Sequence, residues 1–453
     1  MGAGKSTIGQ EVARLSGRLF VDLDREIERR HGPVTELFVR GEPGFRRIEE
    51  EVAAEVLASS TPAVIAFGGG AVLSGRTREL LLTDAFTLWV DVDVAAAWER
   101  VRDTGRPLAQ DEAQFGRLFD ERQPLYEMVS ARLVESTEDV LLAALEIDVG
   151  GGLLATLPDR LGEDLEAVGV IGDEHVLDIH PLDFGRASVH RVPRGEAAKT
   201  PAVLDRLWNE LGLDRGGMIV GYGGGSTTDV AGLAAAMYLR GVRWVAAPTT
   251  LLGQVDAAIG GKTAIDLPAG KNLVGAFHYP ARVIIDPNVL ATLSEAQRRE
   301  GMAEVVKTGL LADRPLWELE DDAMIRACAA FKAAVCLGDP FDQGRRAILN
   351  LGHTFAHALE TAAGYRGLSH GDAVALGLLA ALRLSGRPTG VVEEVLGTGP
   401  VRLDRDRAWM ALQRDKKAQR GELRLVLLGD DGPGVEARPA GEVRAALDEL
   451  IAD

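Results

Sequence analysis

The stretch that decides the fold class is Met218-Ile-Val-Gly-Tyr-Gly-Gly-Gly-Ser-Thr-Thr-Asp-Val-Ala-Gly-Leu233. Its apolar start predicts a buried strand, the three consecutive glycines predict a turn, and the residues from Asp229 onward predict a helix. Glycines between a strand and a helix let a phosphate approach the backbone N–H groups at the helix N-terminus. The stretch therefore predicts an α/β domain with an anion-binding turn, although one glycine-rich turn is weak evidence by itself.

The same alternation of strands and helices extends along the chain on both sides of this stretch. Apolar runs such as Ala63-Val-Ile-Ala-Phe67 and Phe86-Thr-Leu-Trp-Val90 alternate with helical stretches up to about residue 290. This pattern is typical of α/β domains with parallel sheets. After Leu293 helical periodicity dominates until one late strand candidate, Leu423 to Leu428. We therefore predict two α/β domains, residues 1–145 and 146–290, and an all-helical lobe, residues 291–453.

The composition excludes several classes of protein. The 453 residues carry a net charge of -18, which excludes nucleic acid as the main partner because such binding relies on Lys and Arg that neutralise phosphates. The longest apolar run, Ala373 to Leu382, is far shorter than the roughly 20 residues that span a bilayer. Cys328 and Cys336 fit neither a disulfide framework nor a zinc ribbon, and no signal peptide is recognisable. We therefore expect a cytoplasmic protein without membrane association.

The first residues match the second half of a phosphate-binding loop. Gly2-Ala-Gly4-Lys5-Ser6-Thr7 precedes a helical pattern, and such loops bind ATP through backbone N–H groups. Lys5 would meet the β- and γ-phosphates, and Ser6 would bind a magnesium ion. The first Gly of the full pattern and the strand that carries it would precede Met1. We therefore expect the natural start codon to lie upstream.

Five further motifs follow this loop in a characteristic order. Asp22-Leu-Asp24 comes directly after the apolar run Leu19 to Val21, where α/β proteins place their ligands. The others are Gly41-Glu-Pro-Gly-Phe45-Arg46-Arg47-Ile-Glu49, Gly68-Gly69-Gly70, Gly105-Arg106-Pro107-Leu108 and Arg122-Gln-Pro-Leu-Tyr126. Together these motifs resemble shikimate kinase across residues 1–145. The resemblance implies a P-loop kinase-like parallel-sheet domain that transfers a phosphoryl group from magnesium-bound ATP to shikimate.

The resemblance to shikimate kinase also implies roles for individual residues. Guanidinium groups that clamp a carboxylate, and glycines that admit a substrate, suit phosphoryl transfer, in which positioning and charge neutralisation do most of the work. The implied shikimate contacts are Asp24, Arg46, Gly68, Gly69, Gly70 and Arg122. The implied ATP contacts are Gly2, Gly4, Lys5, Ser6, Thr7 and the lid residue Arg106, with Asp22 near the magnesium ion.

Lysines recur at the glycine-rich turns of the middle region. They stand in Gly195-Glu196-Ala-Ala-Lys199, Gly260-Gly261-Lys262-Thr263 and Gly270-Lys271-Asn272. So many lysines at adjacent turns would repel one another unless an anion lay among them. We therefore predict a phosphate-bearing substrate, with a solvated charged surface as the alternative.

The helical lobe contains residues suited to a metal ion. Glu304 and Lys307 lie three apart on an otherwise apolar helix, where a local ion pair is the simplest explanation. The spacing of four, three and four residues between Arg346, Asn350, His353 and His357 predicts one polar stripe along a helix, and His370 follows at a turn. Glu304, His353 and His370 would supply one oxygen and two imidazole ligands. Three protein ligands with open positions are typical of a catalytic zinc site.

With these motifs, residues 146–453 resemble 3-dehydroquinate synthase. The resemblance implies a Rossmann-like NAD-binding α/β lobe, an all-helical metal-binding lobe, and zinc or cobalt held by Glu304, His353 and His370. The implied substrate and catalytic contacts are Asp256, Lys262, Lys307, Lys332, Arg346, Asn350 and His357, with Arg240 reaching across from the partner in a homodimer. The implied NAD contacts are Asp173, Glu196, Lys199, Gly224, Gly225, Asp229, Thr249, Thr250, Leu252, Lys271 and Asn272. Arg414-Asp-Lys416-Lys417 matches the late lysine motif of the family.

The second resemblance implies a reaction in which NAD is catalytic rather than consumed. A sugar phosphate, 3-deoxy-arabino-heptulosonate 7-phosphate, would be oxidised, lose phosphate, be reduced again by the same cofactor and close into 3-dehydroquinate. Both halves of the chain would then serve the shikimate pathway on small-molecule substrates. The alternatives are another sugar-phosphate cyclase or a polyol dehydrogenase, combined with an N-terminal domain that is a non-catalytic binding module.

Overall fold

The computed structural model describes residues 2–103, 111–161, 167–415 and 422–452. The chain divides into two compact units, Met1–Ala144 and Leu145–Asp453. The lid residue Arg106 and the late lysines Lys416 and Lys417 lie outside the described residues. Within the described ranges, every helix is too short or too polar to cross a lipid bilayer.

The first unit consists of short parallel strand pairs surrounded by helices. Strand β1 pairs with β2, and β3 pairs with β4, each pair in parallel. The apolar runs at residues 63–67 and 86–90 thus contain strands, as predicted. The elements in chain order are α1 (Lys5–Ser16), β1 (Leu19–Asp22), α2 (Leu23–His31), α3 (Val34–Val39), α4 (Glu42–Leu57), β2 (Ala63–Ala66), α5 (Gly75–Asp84), β3 (Leu88–Val90), α6 (Val94–Val101), α7 (Glu112–Val129), β4 (Arg132–Val134) and α8 (Thr137–Ala143).

Local sequence explains where the first elements of this unit begin and end. Gly4 lies in the left-handed region at φ 82°, so the chain turns there before helix α1 starts. Asp22 ends β1 and caps α2, because its carboxylate accepts a hydrogen bond from the backbone N–H of Arg25 at 3.3 Å. Leu23 and Ile27 then point into a core shared with Phe45. The first aspartate of the Asp22-Leu-Asp24 motif is therefore the helix cap.

The second unit begins with a six-stranded parallel sheet. Its strand order is β5-β12-β9-β8-β6-β7, and every neighbouring pair is parallel. A separate antiparallel hairpin, β10–β11, carries Lys262 and Lys271 of the lysine-containing turns, whereas Lys199 follows a separate 3-10 turn. The elements are β5 (Ile147–Val149), α9 (Leu157–Arg160), β6 (Val168–Asp173), α10 (Glu174–Ile179), β7 (Ser188–Val192), α11 (Pro201–Glu210), β8 (Met218–Gly223), α12 (Gly225–Met237), β9 (Arg243–Pro248), β10 (Lys262–Leu267), β11 (Gly270–Phe277) and β12 (Arg282–Ile285).

The rest of the second unit is a helical lobe. The apolar run at residues 373–382 lies buried within α16, which accounts for its hydrophobicity. The predicted late strand is present as the first strand of an antiparallel hairpin, β14–β15. The elements are α13 (Glu295–Ala312), α14 (Asp321–Gly338), α15 (His353–Ala362), α16 (His370–Leu384), α17 (Gly390–Leu396), β13 (Val401–Arg402), α18 (Arg405–Asp415), β14 (Glu422–Gly429), β15 (Gly432–Pro439), α19 (Ala440–Asp448) and β16 (Ile451–Ala452).

The prediction of one continuous polar stripe from Arg346 to His357 is wrong. Arg346 and Asn350 lie in a 3-10 turn over residues 345–350, and α15 starts only at His353. Between them Gly352 adopts φ 77°, and a Cβ there would lie 2.8 Å from the backbone nitrogen of Leu378. The close approach of α16 therefore requires a glycine and a break in the helix at this point.

Candidate functional site

The three predicted metal ligands come together from three helices of the second unit. Glu304 lies within α13, His353 is the first residue of α15, and His370 is the first residue of α16. The Nε2 atoms of His353 and His370 lie 3.4 and 3.5 Å from Oε1 of Glu304. One candidate ligand atom from each residue lies within 4.8 Å of the other two. This spacing matches a carboxylate and two imidazoles arranged around one metal ion.

The second nitrogen of each imidazole is held by a neighbouring oxygen. Nδ1 of His353 lies 3.2 Å from the carbonyl oxygen of Leu351, and Nδ1 of His370 lies 3.4 Å from Oε1 of Glu360. Such partners fix the ring so that Nε2 keeps its lone pair for a metal. Glu360 was not among the predicted site residues. The signal for it was present, because the spacing His353, His357, Glu360 continues the face of the helix by three residues.

Charge is concentrated in this buried cluster. Burial opposes ionisation of Glu304, yet the charges of Lys307 and His353 hold its pKa well below the usual value of a glutamate. Burial lowers the pKa of His353 to about 4. Burial acts in the same direction on His370, but hydrogen bonds with Glu304 and Glu360 raise its pKa to about 9. At neutral pH one imidazole therefore has a free lone pair, and a metal ion would replace the proton on the other.

Two buried lysines extend the charged cluster away from the candidate ligands. Lys307 pairs with Glu304, as the three-residue spacing predicted, and also donates to Oδ2 of Asp256 at 2.9 Å. Lys332 donates to the backbone oxygen of Asp256 at 2.6 Å and pairs with its Oδ1. Asp256 lies in a single π-helical turn, residues 253–257, which directs its carboxylate at both lysines. The structure thus brings together three of the predicted substrate contacts.

Arg346 is a buried cation whose guanidinium group forms no ion pair with the described residues, although its charge acts on the nearby carboxylate of Asp339. It is 2% exposed, and its Nη1 donates to the carbonyl oxygen of Pro340 at 3.2 Å. Its Nε has no hydrogen-bond partner, and within the described part of the chain no carboxylate forms an ion pair with its guanidinium group. A buried charge of this kind is costly unless an anion neutralises it. Arg346 is therefore suited to bind an anionic group of a substrate.

The remaining predicted substrate contacts are more exposed. Lys262, at the start of β10, pairs with Oδ2 of Asp342 at 2.5 Å. Asn350 ends the 3-10 turn that carries Arg346, and the exposed His357 has its ring centre 5.7 Å from that of His353. Arg240 is exposed after α12 and adopts φ 66°. The pairing of Lys262 with Asp342 is a contact that the motifs did not predict.

The predicted NAD contacts cluster at the carboxyl ends of the parallel strands. In open α/β sheets ligands bind at this edge. Asp173 ends β6 and caps α10, Gly224 and Gly225 follow β8, and Thr249 follows β9. Thr250 and Leu252 come next in the chain and lead into the π-helical turn, with Leu252 at its cap. The backbone N–H groups of the glycine turn at this edge are therefore suited to bind a dinucleotide phosphate.

Side chains of the same group form one polar network. Lys199 donates to Oδ2 of Asp229 at 2.7 Å and to the side chain of Asn272. Glu196 accepts a hydrogen bond from Ser226 at 2.8 Å. Lys271 joins this network through its charge, which acts on Glu196, and its Nζ is 3.3 Å from Oε1 of Glu360 in α15. The hairpin β10–β11 thus reaches from the nucleotide edge of the sheet to the candidate metal cluster.

In the first unit, the predicted phosphate loop and the Asp22 motif meet. Ser6, in the first turn of α1, donates from Oγ to Oδ2 of Asp22 at 2.6 Å. Gly4 and Lys5 stand at the N-terminus of this helix, and Thr7 lies exposed in its first turn. A backbone bend at Gly2 brings its carbonyl oxygen to Arg100, which donates at 3.0 Å. A hydroxyl beside a carboxylate at a helix N-terminus suits a magnesium ion and an anion.

The predicted shikimate contacts also lie together. A Cβ on Gly68 would lie 2.8 Å from Oδ1 of Asp24, and a Cβ on Gly70 would lie 2.3 Å from Nη1 of Arg46. Glycines are therefore required at these positions, because the side chains of Asp24 and Arg46 occupy the space that a Cβ would need. Arg122 is buried, and its Nε has no partner within the described residues. The carbonyl oxygen of Gly69 accepts a hydrogen bond from the Tyr126 hydroxyl at 2.6 Å.

One buried carboxylate of this group had no predicted role. Glu49 is 4% exposed, and its Oε2 lies 2.5 Å from Nη1 of Arg46. Burial raises the pKa of Glu49, although the charge of Arg46 acts against this shift. Its position three residues after Arg46 in α4 was the available signal. Glu49 and Glu42, which accepts hydrogen bonds from Nε and Nη2 of Arg46 at 3.3 and 3.1 Å, together fix the orientation of this guanidinium group.

Comparisons with known proteins agree with both resemblances. The family model described as shikimate kinase matches residues 1–147. The models described as 3-dehydroquinate synthase N-terminal and C-terminal match residues 189–300 and 301–398. The 3-dehydroquinate synthase of Bordetella pertussis is 38% identical over 340 residues, covering 67% of this chain and 95% of the relative.

Solved structures with the same architecture cover the second unit. A 2-deoxy-scyllo-inosose synthase complexed with carbaglucose-6-phosphate, NAD+ and Co2+ has a TM-score of 0.60 and 27% identity, covering 67% of this chain and 96% of that protein. A 2-epi-5-epi-valiolone synthase from Streptomyces hygroscopicus with NAD+ and Zn2+ bound has a TM-score of 0.57 and 25% identity, covering 67% and 96%. With the family matches and the clustered site residues, these likenesses show that the chain belongs to the 3-dehydroquinate synthase family and carries a shikimate kinase domain before it.

Proposed function

We propose that the second unit converts 3-deoxy-arabino-heptulosonate 7-phosphate to 3-dehydroquinate with loss of phosphate. The observation that carries this proposal is the arrangement of Glu304, His353 and His370 beside buried lysines and the unpaired Arg346. A metal centre next to an anion pocket suits a phosphorylated polyol whose hydroxyl is oxidised and whose phosphate then leaves. The sheet edge with Gly224 and Gly225 supplies the place for the dinucleotide.

The residues present fit a divalent transition metal. One carboxylate and two imidazoles, each ring held through Nδ1, form a donor set of the kind that binds zinc or cobalt and leaves positions open for substrate. When bound, the metal would act as a Lewis acid on a substrate oxygen. The identity of the metal as zinc or cobalt, and of the cofactor as NAD, is supported by the complexes seen in the two related synthases.

The chain's own side chains would position the substrate and neutralise its charge. Asp256 holds both ammonium groups of Lys307 and Lys332, so neither can turn away from the metal side of the pocket. Arg346 would bind an anionic group through its guanidinium group, whose Nε has no hydrogen-bond partner in the described residues, and Lys262 would add charge at the exposed end. Asn350 and His357 would complete the polar lining. We also propose a homodimer in which the exposed Arg240 reaches the pocket of the partner subunit.

NAD would supply a hydride acceptor first and a hydride donor afterwards, so that no net oxidation takes place. The residues that would hold it are those at the strand ends together with Lys199, Asp229, Lys271 and Asn272. The test is an assay with the heptulosonate phosphate, NAD+ and zinc. We expect phosphate and 3-dehydroquinate in equal amounts without accumulation of NADH. Net NADH formation would instead indicate a dehydrogenase.

The alternatives considered from the sequence are not favoured. Both family models that match the second unit describe 3-dehydroquinate synthase, and neither describes another cyclase or a dehydrogenase. The model that matches the first unit describes a kinase rather than a binding module. The protein is therefore best described as a bifunctional enzyme of the shikimate pathway.

We propose that the first unit phosphorylates shikimate at its 3-hydroxyl with magnesium-bound ATP. Ser6 and Asp22 would hold the magnesium ion, and the N-terminus of α1 with Lys5 would hold the phosphates. Arg46 and Arg122 would clamp the shikimate carboxylate, while Asp24 would bind its hydroxyl groups. The observation that carries this proposal is the convergence of Asp24, Arg46 and the Gly68 to Gly70 loop.

Arg122→Met tests the carboxylate clamp. We expect the KM for shikimate to rise about 30-fold, because a charge-assisted hydrogen bond contributes about 2 kcal/mol. The KM for ATP should change little, since Arg122 would not contact the nucleotide. Kinase assays with ADP detection measure both constants. Arg117→Met, an exposed change on the same helix, is the matched control, and an equal effect of the two variants on shikimate would contradict the assignment.

A further inference from the structure

Glu360 lies between the candidate metal cluster and the nucleotide side of the second unit. It is on α15, and its side chain is 5% exposed. Its Oε1 is 3.4 Å from Nδ1 of His370 and 3.3 Å from Nζ of Lys271. One buried carboxylate oxygen is thus shared by a candidate metal ligand and by a lysine of β11 that would bind the dinucleotide.

We propose that Glu360 is a positioning residue that couples metal binding to NAD binding, an inference that rests on the proposed function of this unit. Glu360 contacts His370 through Nδ1 and leaves Nε2 of that ring directed at Glu304. It acts on the metal through His370 and on the nucleotide through Lys271. The coupling acts through two contacts, one between His370 and Glu360 and one between Glu360 and Lys271.

The first half of the coupling is the effect of Glu360 on His370. A carboxylate that accepts the Nδ1–H of an imidazole holds the ring in one orientation and increases electron density at Nε2. His370 is the first residue of its helix, and its side chain is 31% exposed. Without the carboxylate, rotation of the ring would move Nε2 away from Glu304. Loss of such a partner typically weakens metal binding about 10- to 100-fold.

The second half of the coupling is competition for a single oxygen. Lys271 is 32% exposed and also lies 5.3 Å from the ring centre of Tyr365. A bound dinucleotide phosphate that attracts Lys271 would weaken its pairing with Glu360. The carboxylate charge would then be directed more fully at His370, which strengthens the interaction of Nε2 with the metal. Metal binding and NAD binding should therefore reinforce each other, and by linkage the factor is the same in both directions.

Glu360→Gln separates this role from simple packing. The substitution keeps the shape of the side chain and an oxygen acceptor but removes the charge that both partners share. Lys271→Met removes the competitor and leaves the carboxylate to His370 alone. Glu449→Gln, which removes the charge of an exposed carboxylate paired with Arg383 at 3.0 Å, is the matched control.

The experiment titrates Co2+ into the metal-free 453-residue chain and follows the visible absorption of the ion, with and without saturating NAD+. In the unaltered protein we expect NAD+ to tighten Co2+ binding at least about fivefold. Glu360→Gln should weaken Co2+ binding about 10- to 100-fold and change the absorption spectrum. In Lys271→Met, Co2+ should bind without NAD+ as tightly as the unaltered protein binds it with NAD+. Glu449→Gln should behave like the unaltered protein.

The outcomes distinguish this inference from the proposed function. If the unaltered chain binds neither Co2+ nor NAD+, the proposed function fails. If it binds both, but Glu360→Gln retains its affinity and spectrum, the positioning role is refuted. If circular dichroism shows that Glu360→Gln is unfolded, the Lys271→Met variant alone tests the coupling. A full NAD+ effect on Co2+ affinity in that variant would overturn the coupling.

Discussion

Glu304→Ala is expected to lower kcat/KM for cyclisation by at least about 10³-fold, because a metal ion supplies several kcal/mol of charge stabilisation during the reaction. Glu304 is the ligand nearest to both others, at 3.4 Å from His353 and 3.5 Å from His370. The variant would keep only the two imidazole ligands, which are too few to hold the metal ion. Metal analysis of the purified variant should therefore show loss of bound zinc or cobalt together with the loss of phosphate release.

Loss of metal must be distinguished from loss of fold. Glu304 is 1% exposed and pairs with Lys307. In the variant Lys307 would still pair with Asp256, whose Oδ2 lies 2.9 Å from Nζ of the lysine. Lys307 is thus not left as an isolated buried charge, so the variant should remain folded by circular dichroism. His353→Ala should give the same result, and Glu295→Ala, an exposed change in the first turn of the same helix, should change little. Retention of full activity in metal-free buffer would refute the metal assignment.

Arg346→Met is expected to lower kcat/KM by about 10²- to 10³-fold without loss of metal or NAD binding. A preorganised donor aimed at developing charge contributes roughly this much in other enzymes. Met keeps the apolar length of the side chain and removes the unpaired guanidinium charge. Because the buried guanidinium group forms no ion pair with the described residues, the variant should be about as stable as the unaltered protein. Phosphate-release kinetics and thermal unfolding measure the two effects.

The neighbouring Arg345 offers a matched control for this variant. It stands in the same 3-10 turn but is exposed, whereas Arg346 is buried. Arg345→Met should therefore leave kcat/KM within a few-fold of its original value, since exposed charges contribute little. Equal losses in the two variants would indicate a general electrostatic effect and would contradict the anion site at Arg346.

Most of the fold class and many of the site residues were predictable from local patterns. Strand, glycine-rich turn and helix occur together at Met218 to Leu233 because a phosphate needs backbone N–H groups free of side chains. Residue type also limits the metal site, since only a few side chains can donate to zinc or cobalt. Glu304, His353 and His370 could therefore be chosen by type, and the family resemblance then assigned them together.

Contacts between distant segments could not be read in this way. The break at Gly352 arises because the backbone of α16 lies 2.8 Å from where a Cβ would be, and nothing in the spacing of Arg346, Asn350 and His353 reveals that neighbour. Asp256 accepts hydrogen bonds from lysines of two different helices, and their convergence depends on how α13 and α14 pack beside the π-helical turn. The type of each residue can thus be read from the sequence, whereas the distances between distant segments depend on how the chain packs.

Glu360 shows most clearly what the local sequence predicts and what only tertiary packing decides. Its place on the same helical face as His353 and His357 follows from the period of the α-helix, so a polar residue there was predictable. Its partners were not, because His370 comes from the next helix and Lys271 from a hairpin of the sheet lobe. The chemistry of each group is set by its own atoms, but a 3.3 Å contact between segments this far apart exists only once the chain has packed.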